Sequence, residues 1–330
     1  MQRFRKVLVL IAAALLSTVV FLCASFWIMS QTVGRPLSIK TWLSRSEAYT
    51  NMVSVVAQSS DATSTGSTLP IKDPEIIAAG RKAFSEPVLK TGADKAIDQV
   101  FDWLDGRAKP LDVNVDFTGP RANFAASVGA VVTNRLAALP ACGQAASPLT
   151  FDVFKVDCLP AGIIPVNEGA KITNDLIADR GFLGGGVVTN STLNLQNQSS
   201  LVLRQAPAVY RAGRILPLLL AVLATALLLI IIFGSTERRN GFKRAVRTLF
   251  ATSVIMVLSL AATPLISRSI VPANPTNDKL FVEKIVHPII HQIEQSLIYT
   301  QLIAIGVVGG LWLIGFLVLK LWKSAPEVRQ

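Results

Sequence analysis

Charge is scarce in this chain, histidine nearly absent and cysteine rare. Of 330 residues 16% are charged and 51% hydrophobic, with two histidines and three cysteines. That charge content excludes an ordinary soluble enzyme, in which about a quarter of residues are charged. Both histidines, His287 and His291, lie late in the chain. The long segment before them therefore has no imidazole, and with no G-x-S-x-G either, a serine or cysteine triad has no base there. Charge is missing altogether from four runs: Val7 to Gln31, Ile215 to Thr236, Thr248 to Ser267 and Gln295 to Leu319. Each is long enough to cross a hydrocarbon core, which takes about 20 helical residues. The same absence argues against a proton-coupled transporter or a voltage-gated channel, both of which need ionisable groups at membrane depth; it leaves a passive pore open.

What charge there is has a pattern. The net charge is +11, which would ordinarily raise nucleic-acid binding. Yet Arg3, Arg5 and Lys6 precede the first span, Arg238, Arg239, Lys243, Arg244 and Arg247 fill the turn between spans two and three, and Lys320, Lys323 and Arg329 follow the fourth. Against Glu237 and Glu327 these short pieces contribute +9, while Ser30 to Arg214 holds 18 basic and 16 acidic residues. Four spans place the three basic pieces on one side, as the positive-inside rule expects of cytoplasm. The basicity thus reports orientation, with some attraction to anionic lipid at the Arg238 to Arg247 turn. No nucleic-acid partner is expected.

The first span reads as an uncleaved anchor. Met1 to Lys6 would suit a signal peptide, but the apolar run continues through Phe26, Trp27, Ile28 and Met29, longer than a typical signal core. Nor does Val20-Phe21-Leu22-Cys23 carry the small residue a lipoprotein signal needs before its cysteine. The expected division is a cytoplasmic tip and first span over 1–30, a large extracytoplasmic domain over 31–214, and a second span over 215–236. A basic turn over 237–247, a third span over 248–267, a small outer loop over 268–295, a fourth span over 296–319 and a tail over 320–330 complete it. In the fourth span Gly306 and Gly310, with Gly309 and Gly315 nearby, form a G-x-x-x-G pattern for close helix packing, within the bundle or between two copies.

In the large domain, Ile39, Trp42, Leu43, Tyr49, Val53 and Val56 recur at helical spacing, which extends the first span outward as an amphipathic helix to Ser59. Asp73-Pro74-Glu75 starts a helix that Pro87 stops, and a second helix follows over Ala93 to Asp105. Leu111, Val113, Val115 and Phe117 alternate with Asp112, Asn114 and Asp116, the clearest strand signal in the chain. Helix returns over Pro120 to Leu139 and Asn167 to Arg180, with weak alternation over Phe151 to Cys158 and a further strand over Val187 to Leu195. The expected class is an α-helical membrane protein: a four-helix transmembrane bundle bearing a mainly helical α+β domain. Cys142 and Cys158, 16 positions apart, read as one disulfide contributing about 3 kcal/mol, whereas Cys23 lies inside the first span.

Phe101-Asp102-Trp103-Leu104-Asp105-Gly106-Arg107, the acidic strand, Leu139-Pro140-Ala141-Cys142 and Cys158-Leu159-Pro160-Ala161-Gly162 together resemble an uncharacterised group of bacterial four-pass envelope proteins. The likeness spans Glu75 to Arg247. It implies a bacterial origin, a disulfide-linked extracytoplasmic domain and a short basic cytoplasmic turn. The claudins of animal junctions share a large first outer loop, but their closely spaced cysteine pair after a Trp-rich motif is missing.

Few residues suggest chemistry. At about 100° per residue Glu283, His287, His291 and Glu294 share one helix face and could ligate zinc, but a solvated polar face explains them as well, and Pro288 disturbs the helix between them. Asp102, Asp105, Asp112 and Asp116 crowd a short stretch yet fit no calcium loop. Gly181 to Gly186 matches no phosphate-binding fingerprint, and Asn190 and Asn197 head glycosylation sequons that matter only in a eukaryote. The expectation is a non-enzymatic bacterial plasma-membrane protein without cofactor, both termini cytoplasmic, acting as a binding, scaffold or accessory component. Its partners are the bilayer and either a second protein or further copies of itself. A homo-oligomeric channel and a metal-dependent envelope enzyme are the alternatives.

Overall fold

The structure, a computed structural model, describes residues 2–59, 69–142, 152–179, 185–190, 201–235, 238–270 and 279–324. In chain order the elements are α1 (Gln2–Thr32), α2 (Pro36–Arg45), α3 (Ala48–Ser59), α4 (Pro74–Ala83), α5 (Glu86–Leu104), β1 (Asn114–Asp116), α6 (Thr118–Ala137), α7 (Pro165–Ala178) and β2 (Val187–Thr189). Then follow α8 (Leu201–Gly234), α9 (Arg238–Ile270), the short α10 (Lys279–Phe281), a π-helical turn (Val282–Val286) and α11 (His287–Ser324). Two compact units result. One comprises Met1–Ile39, Ala206–Pro272 and Ile290–Gln330; the other comprises Lys40–Gln205 and Ala273–Ile289.

Four helical stretches are long and apolar enough to cross a membrane: Val9–Thr32, Arg204–Gly234, Arg238–Ala262 and Val282–Leu321, the last beginning in the π-helical turn. They fit a multi-pass membrane protein. Val9, Ala12, Leu16 and Val19 of α1 pack on Leu227 and Ile231 of α8 and Ala245 of α9. The Ser17 and Thr252 hydroxyls meet at 2.9 Å between α1 and α9, and Tyr210 donates to the Gly34 carbonyl. Most large apolar side chains, among them Leu10, Leu218, Leu258 and Ile314, point away from the protein. In water that surface would drive aggregation; in lipid it costs nothing.

The second unit is built on helices. Ile76, Ala79 and Ala83 of α4 bury against Phe124, Ala125 and Val128 of α6 and Leu176 of α7. Asp73 caps α4 by accepting from the Glu75 amide, with Pro74 opening the helix. Pro87 does not end this helix, as the sequence suggested; it lies in the first turn of α5, where its missing N–H costs nothing. The amphipathic segment after the first span is likewise two helices, not one. The chain turns at Val33-Gly34 and again at Ser46-Glu47, where Glu47 takes the left-handed region at φ 54°.

Among the described residues, sheet is confined to one antiparallel ribbon pairing Asn114 with Thr189, Val115 with Val188 and Asp116 with Val187. The expected α+β class is therefore a helical domain with two three-residue strands. Alternation does set the faces, since Leu111, Val113 and Val115 are buried against Ala96, Val100 and Trp103. Side-chain amides extend the short ladder: Gln99 exchanges two hydrogen bonds with the Asn114 backbone, and Asn190 bonds the Val113 amide and the Leu111 carbonyl. Of the second predicted strand, Val187 to Thr189 is extended, and 191–195 lies outside the described residues. Instead of a strand, 152–158 forms a turn held by Asp152, next to a single bridge between Ala141 and Leu159.

The tightest contact is the crossing of α6 and α7. Gly129-Ala130-Val131-Val132-Thr133-Asn134-Arg135-Leu136 recurs 40 positions later as Gly169-Ala170-Lys171-Ile172-Thr173-Asn174-Asp175-Leu176. The two copies meet antiparallel. Thr133 donates to Gly129 O at 2.9 Å and reaches Pro165 O at 3.4 Å, while Thr173 donates to Gly169 O at 2.9 Å and reaches Ala125 O at 3.2 Å. That reciprocity is a local twofold axis through the two glycines. A Cβ on Gly129 would stand 2.6 Å from the Gly169 oxygen, and one on Gly169 2.5 Å from the Gly129 oxygen, so no larger residue fits either place. Arg121, buried at the start of α6, donates to the Leu176 and Asp179 carbonyls at the end of α7 and completes the pair.

Within the small loop expected over 268–295, Ile285, with Phe281 and Ile289, packs on Leu43, Ala48 and Val55, so Ala273–Ile289 belongs to the same unit as the large domain.

Candidate functional site

The repeat that joins α6 to α7 also shapes the surface they leave exposed. Around α6, Ala122, Asn123, Ala126, Ala130, Asn134 and Ala137 fall in one sector of about 120° and all are exposed. Around α7 the equivalent sector carries Val166, Asn167, Ala170, Asn174 and Ile177, also exposed, Val166 at 65% and Ile177 at 46%. Neither sector contains a charged residue. The cations and acids of the pair lie to the sides or inside: Arg135 is bound to Asp73 at 2.9 Å, and Arg121 is buried. A face of small side chains, asparagine amides and two large aliphatics carries no charge, and in that respect matches the centres of protein interfaces. Apolar periodicity does not reveal this face; the eight-residue repeat within the chain is the sequence signal for it.

Charge collects elsewhere, along α5. Lys90 pairs with Asp94 and Lys40 with Asp98, each at 2.6 Å. Tyr49 of α3 is 5% exposed; its hydroxyl and Asp94 Oδ1 are both buried without a hydrogen-bond partner. Burial, and then the Asp94 charge, push the phenol up to about 12. Such a group holds its proton at any physiological pH and cannot act as a base. A buried hydroxyl with no partner costs about 1–3 kcal/mol. Tyr49→Phe is therefore expected to leave thermal stability unchanged or raise it; a loss of several degrees would show that the hydroxyl is satisfied in solution.

The remaining carboxylates hold structure. Asp102 and Asp105 both grip Arg107, at 2.9 and 2.8 Å. Asp116 accepts from the Thr118 hydroxyl and amide at the start of α6, and these bonds hold its pKa down. Asp112 is exposed. Burial pushes Asp73 up, but hydrogen bonds from Arg135 and the Glu75 amide outweigh it and leave the carboxyl below its ordinary range. A lowered folded pKa contributes stability that is present above the unfolded value and is lost as pH falls through the folded one. Asp73→Asn should thus flatten the acid limb of the stability profile below about pH 4 and leave its shape at neutral pH unchanged; an unaltered acid limb in urea titrations would contradict the assignment.

The metal candidates do not assemble. Among the described residues no three His, Cys, Asp or Glu side chains lie close enough to hold an ion. Glu283, His287 and His291 are exposed, and His291 Nε2 sits 3.0 Å from Gln295 Nε2. Pro288 explains the lost register. Lacking an N–H, it cannot pair with the carbonyl four residues back, and the preceding turn widens, the His287 amide reaching Val282 O instead. That wider turn rotates Glu283 away from its place on a regular wheel.

Cys142 and Cys158 are joined, with Cα atoms 5.0 Å apart, and Cys23 is free, its thiol donating to the Pro217 carbonyl within the spans. The Asn190 amide is taken up by the strand ladder, which removes it as a glycosylation acceptor in the folded chain. Among the described residues, a Cβ on Gly306, Gly309 or Gly310 would meet nothing within 4 Å. Gly315 is the one that lets a neighbour in, Val246 of α9 standing 2.8 Å from its would-be Cβ. Arg238, Arg239, Lys243, Arg244 and Arg247 are all exposed on the first turns of α9. Side chains of Arg3, Arg5 and Lys6 lie outside the description.

Between α1, α9 and α11 lies a cavity of about 170 Å³ lined by Phe21, Ser25, Ile28, Met256, Ser259 and Gln301 among others. Ser25 and Ser259 both donate to carbonyls of their own helices, Phe21 and Met256, so the cavity presents an apolar wall with its hydroxyls already engaged. No known protein family matches this chain, and neither does any curated protein or solved structure.

Proposed function

We propose that this is a multi-pass protein of a bacterial plasma membrane that works by binding, its large domain standing outside the cell and docking a partner protein through the outer face of α6 and α7. The observation that carries this reading is the charge-free face itself, repeated in two equivalent halves around the Gly129–Gly169 contact. A helix face left to water usually carries charged residues. The topology is supported by two independent features: the basic pieces alternate with the spans, and the segments on either side of spans two and three that should share a compartment pack into one unit through Ile285. Asp73, Asp98, Asp102, Asp105 and Asp116 of the domain are engaged in caps and ion pairs, which favours a scaffold or accessory role over catalysis.

Crosslinking in the cells that make the protein, followed by purification of the tagged full chain in mild detergent and mass spectrometry, tests this. A near-stoichiometric second protein is expected, and the double variant Ala130→Arg, Ala170→Arg should release it while the protein still inserts and folds. Recovery of the chain with itself alone would overturn the accessory role. It would favour a homo-oligomer joined through the open glycine face at Gly306 and Gly310, for which conductance in reconstituted bilayers is the next measurement.

A further inference from the structure

The start of α9 carries more than an orientation signal. At about 100° per residue, Arg239, Lys243 and Arg247 share one face of the helix with Phe250 and Val254. All five are exposed, so a stripe of three cations runs straight into an apolar one. The three cations sit one turn apart, and at about 1.5 Å per residue they span about 12 Å along the axis. Among the described residues none of the three takes part in an ion pair.

Beside this stripe stands an aromatic wall. Phe250 and Trp312 lie 5.2 Å apart, and Trp312 stacks on Phe316 at 6.0 Å. The wall exists because Gly315 allows α11 to approach α9 at this level, against Val246. Phe250 and Phe316 are each about half exposed. Cations followed within one turn by outward-facing aromatics match the depth profile of a bilayer, headgroup first and hydrocarbon next.

We propose that this is a binding site for an anionic phospholipid, whose phosphate is held by Arg239, Lys243 and Arg247 and whose acyl chains lie along Phe250, Trp312 and Phe316. The N-terminal amides of α9 point the same way and add positive potential to the headgroup end. A zwitterionic lipid offers the same chains but carries its own cation, which the three side chains repel. The site goes beyond the partner-docking face, which belongs to the other unit, and would stand if that reading failed.

The test is native mass spectrometry of the full-length protein released from nanodiscs of phosphatidylglycerol, phosphatidylcholine or an equal mixture. From the mixture the wild type should retain phosphatidylglycerol over phosphatidylcholine by about tenfold or more, and high salt during exchange should erase the preference. The variant Arg239→Gln, Lys243→Gln, Arg247→Gln keeps Arg238 and Arg244 to hold topology, and should lose the preference. A protease-accessibility assay of the large domain shows whether that variant still inserts correctly. Phe250→Ala supplies a second handle: it should weaken retention of the lipid while leaving the salt dependence in place. Equal retention of both lipids by the wild type would overturn the proposal. So would full displacement of phosphatidylglycerol by soluble glycerol phosphate, which would make the site one for free anions.

Discussion

Gly129→Ala should destabilise the large domain by about 3 kcal/mol, although alanine is the better helix former by about 1 kcal/mol. The added Cβ would collide with the Gly169 carbonyl and with the Thr173 hydroxyl. The hydroxyl cannot turn aside freely, because it already bridges Gly169 O and Ala125 O. Relief therefore means moving α6 from α7, which loosens the Val128, Val132 and Leu136 contacts beneath. Gly169→Ala should cost about the same, since the repeat makes the two sites equivalent. The double variant should cost less than the two together, because one separation of the helices makes room for both methyls. Gly119→Ala is the control: nothing lies within 4 Å of its Cβ, and that substitution should be neutral or stabilising. Hydrogen exchange of α6 and α7 amides in the purified full chain reads all four. Loss of protection by less than about 1 kcal/mol in each single variant, with simple additivity, would mean the close crossing does not exist in solution.

The second large effect is expected from Cys142→Ser with Cys158→Ser. The bond spans 16 positions between α6 and α7, and closing a loop of that size stabilises the fold by about 3 kcal/mol. Loss on that scale should lower the domain's thermal midpoint by several degrees, and treatment of the wild type with a thiol reductant should reproduce it. Cys23→Ser should not respond in this way, since Cys23 is not in the bond. An unchanged midpoint in both the variant and the reduced wild type would show that the crossing alone suffices to hold the pair.

Much of this architecture is legible in composition and spacing. Four charge-free runs become four long helices, and apolar periodicity finds α6 and α7 with bounds shifted by two residues at each end, while the Asp73 cap fixes the start of α4. What misleads is punctuation with two meanings. Pro87 stops one helix only in the sense that it starts another, and Pro288 does not break its helix but widens a single turn. Glu47 could not be anticipated, because a non-glycine residue at positive φ is held there by its surroundings, not by its own preference. Alternation placed Leu111, Val113 and Val115 inside, yet gave no measure of how short the ladder would be, since ladder length depends on the partner strand. The candidate docking face was visible in principle, as a repeat, and the lipid site only in part: the cations are plain in sequence, but Trp312 meets Phe250 through a contact between α9 and α11 that no local pattern encodes.

The matched surfaces of α6 and α7 have a cost that stability alone does not express. A helix whose partner is nearly its own copy can be paired as well by a neighbouring chain's equivalent, and two domains held side by side in a membrane meet often. Selection of the right partner then rests on effective concentration, which for a short tether reaches the millimolar range. By joining Cys142 to Cys158 the disulfide removes the intervening loop from the tether and leaves only the few residues between each cysteine and its helix. Reduction lengthens that tether and so lowers the effective concentration that favours the chain's own helix. The oxidised bond therefore favours pairing of each α6 with the α7 of its own chain.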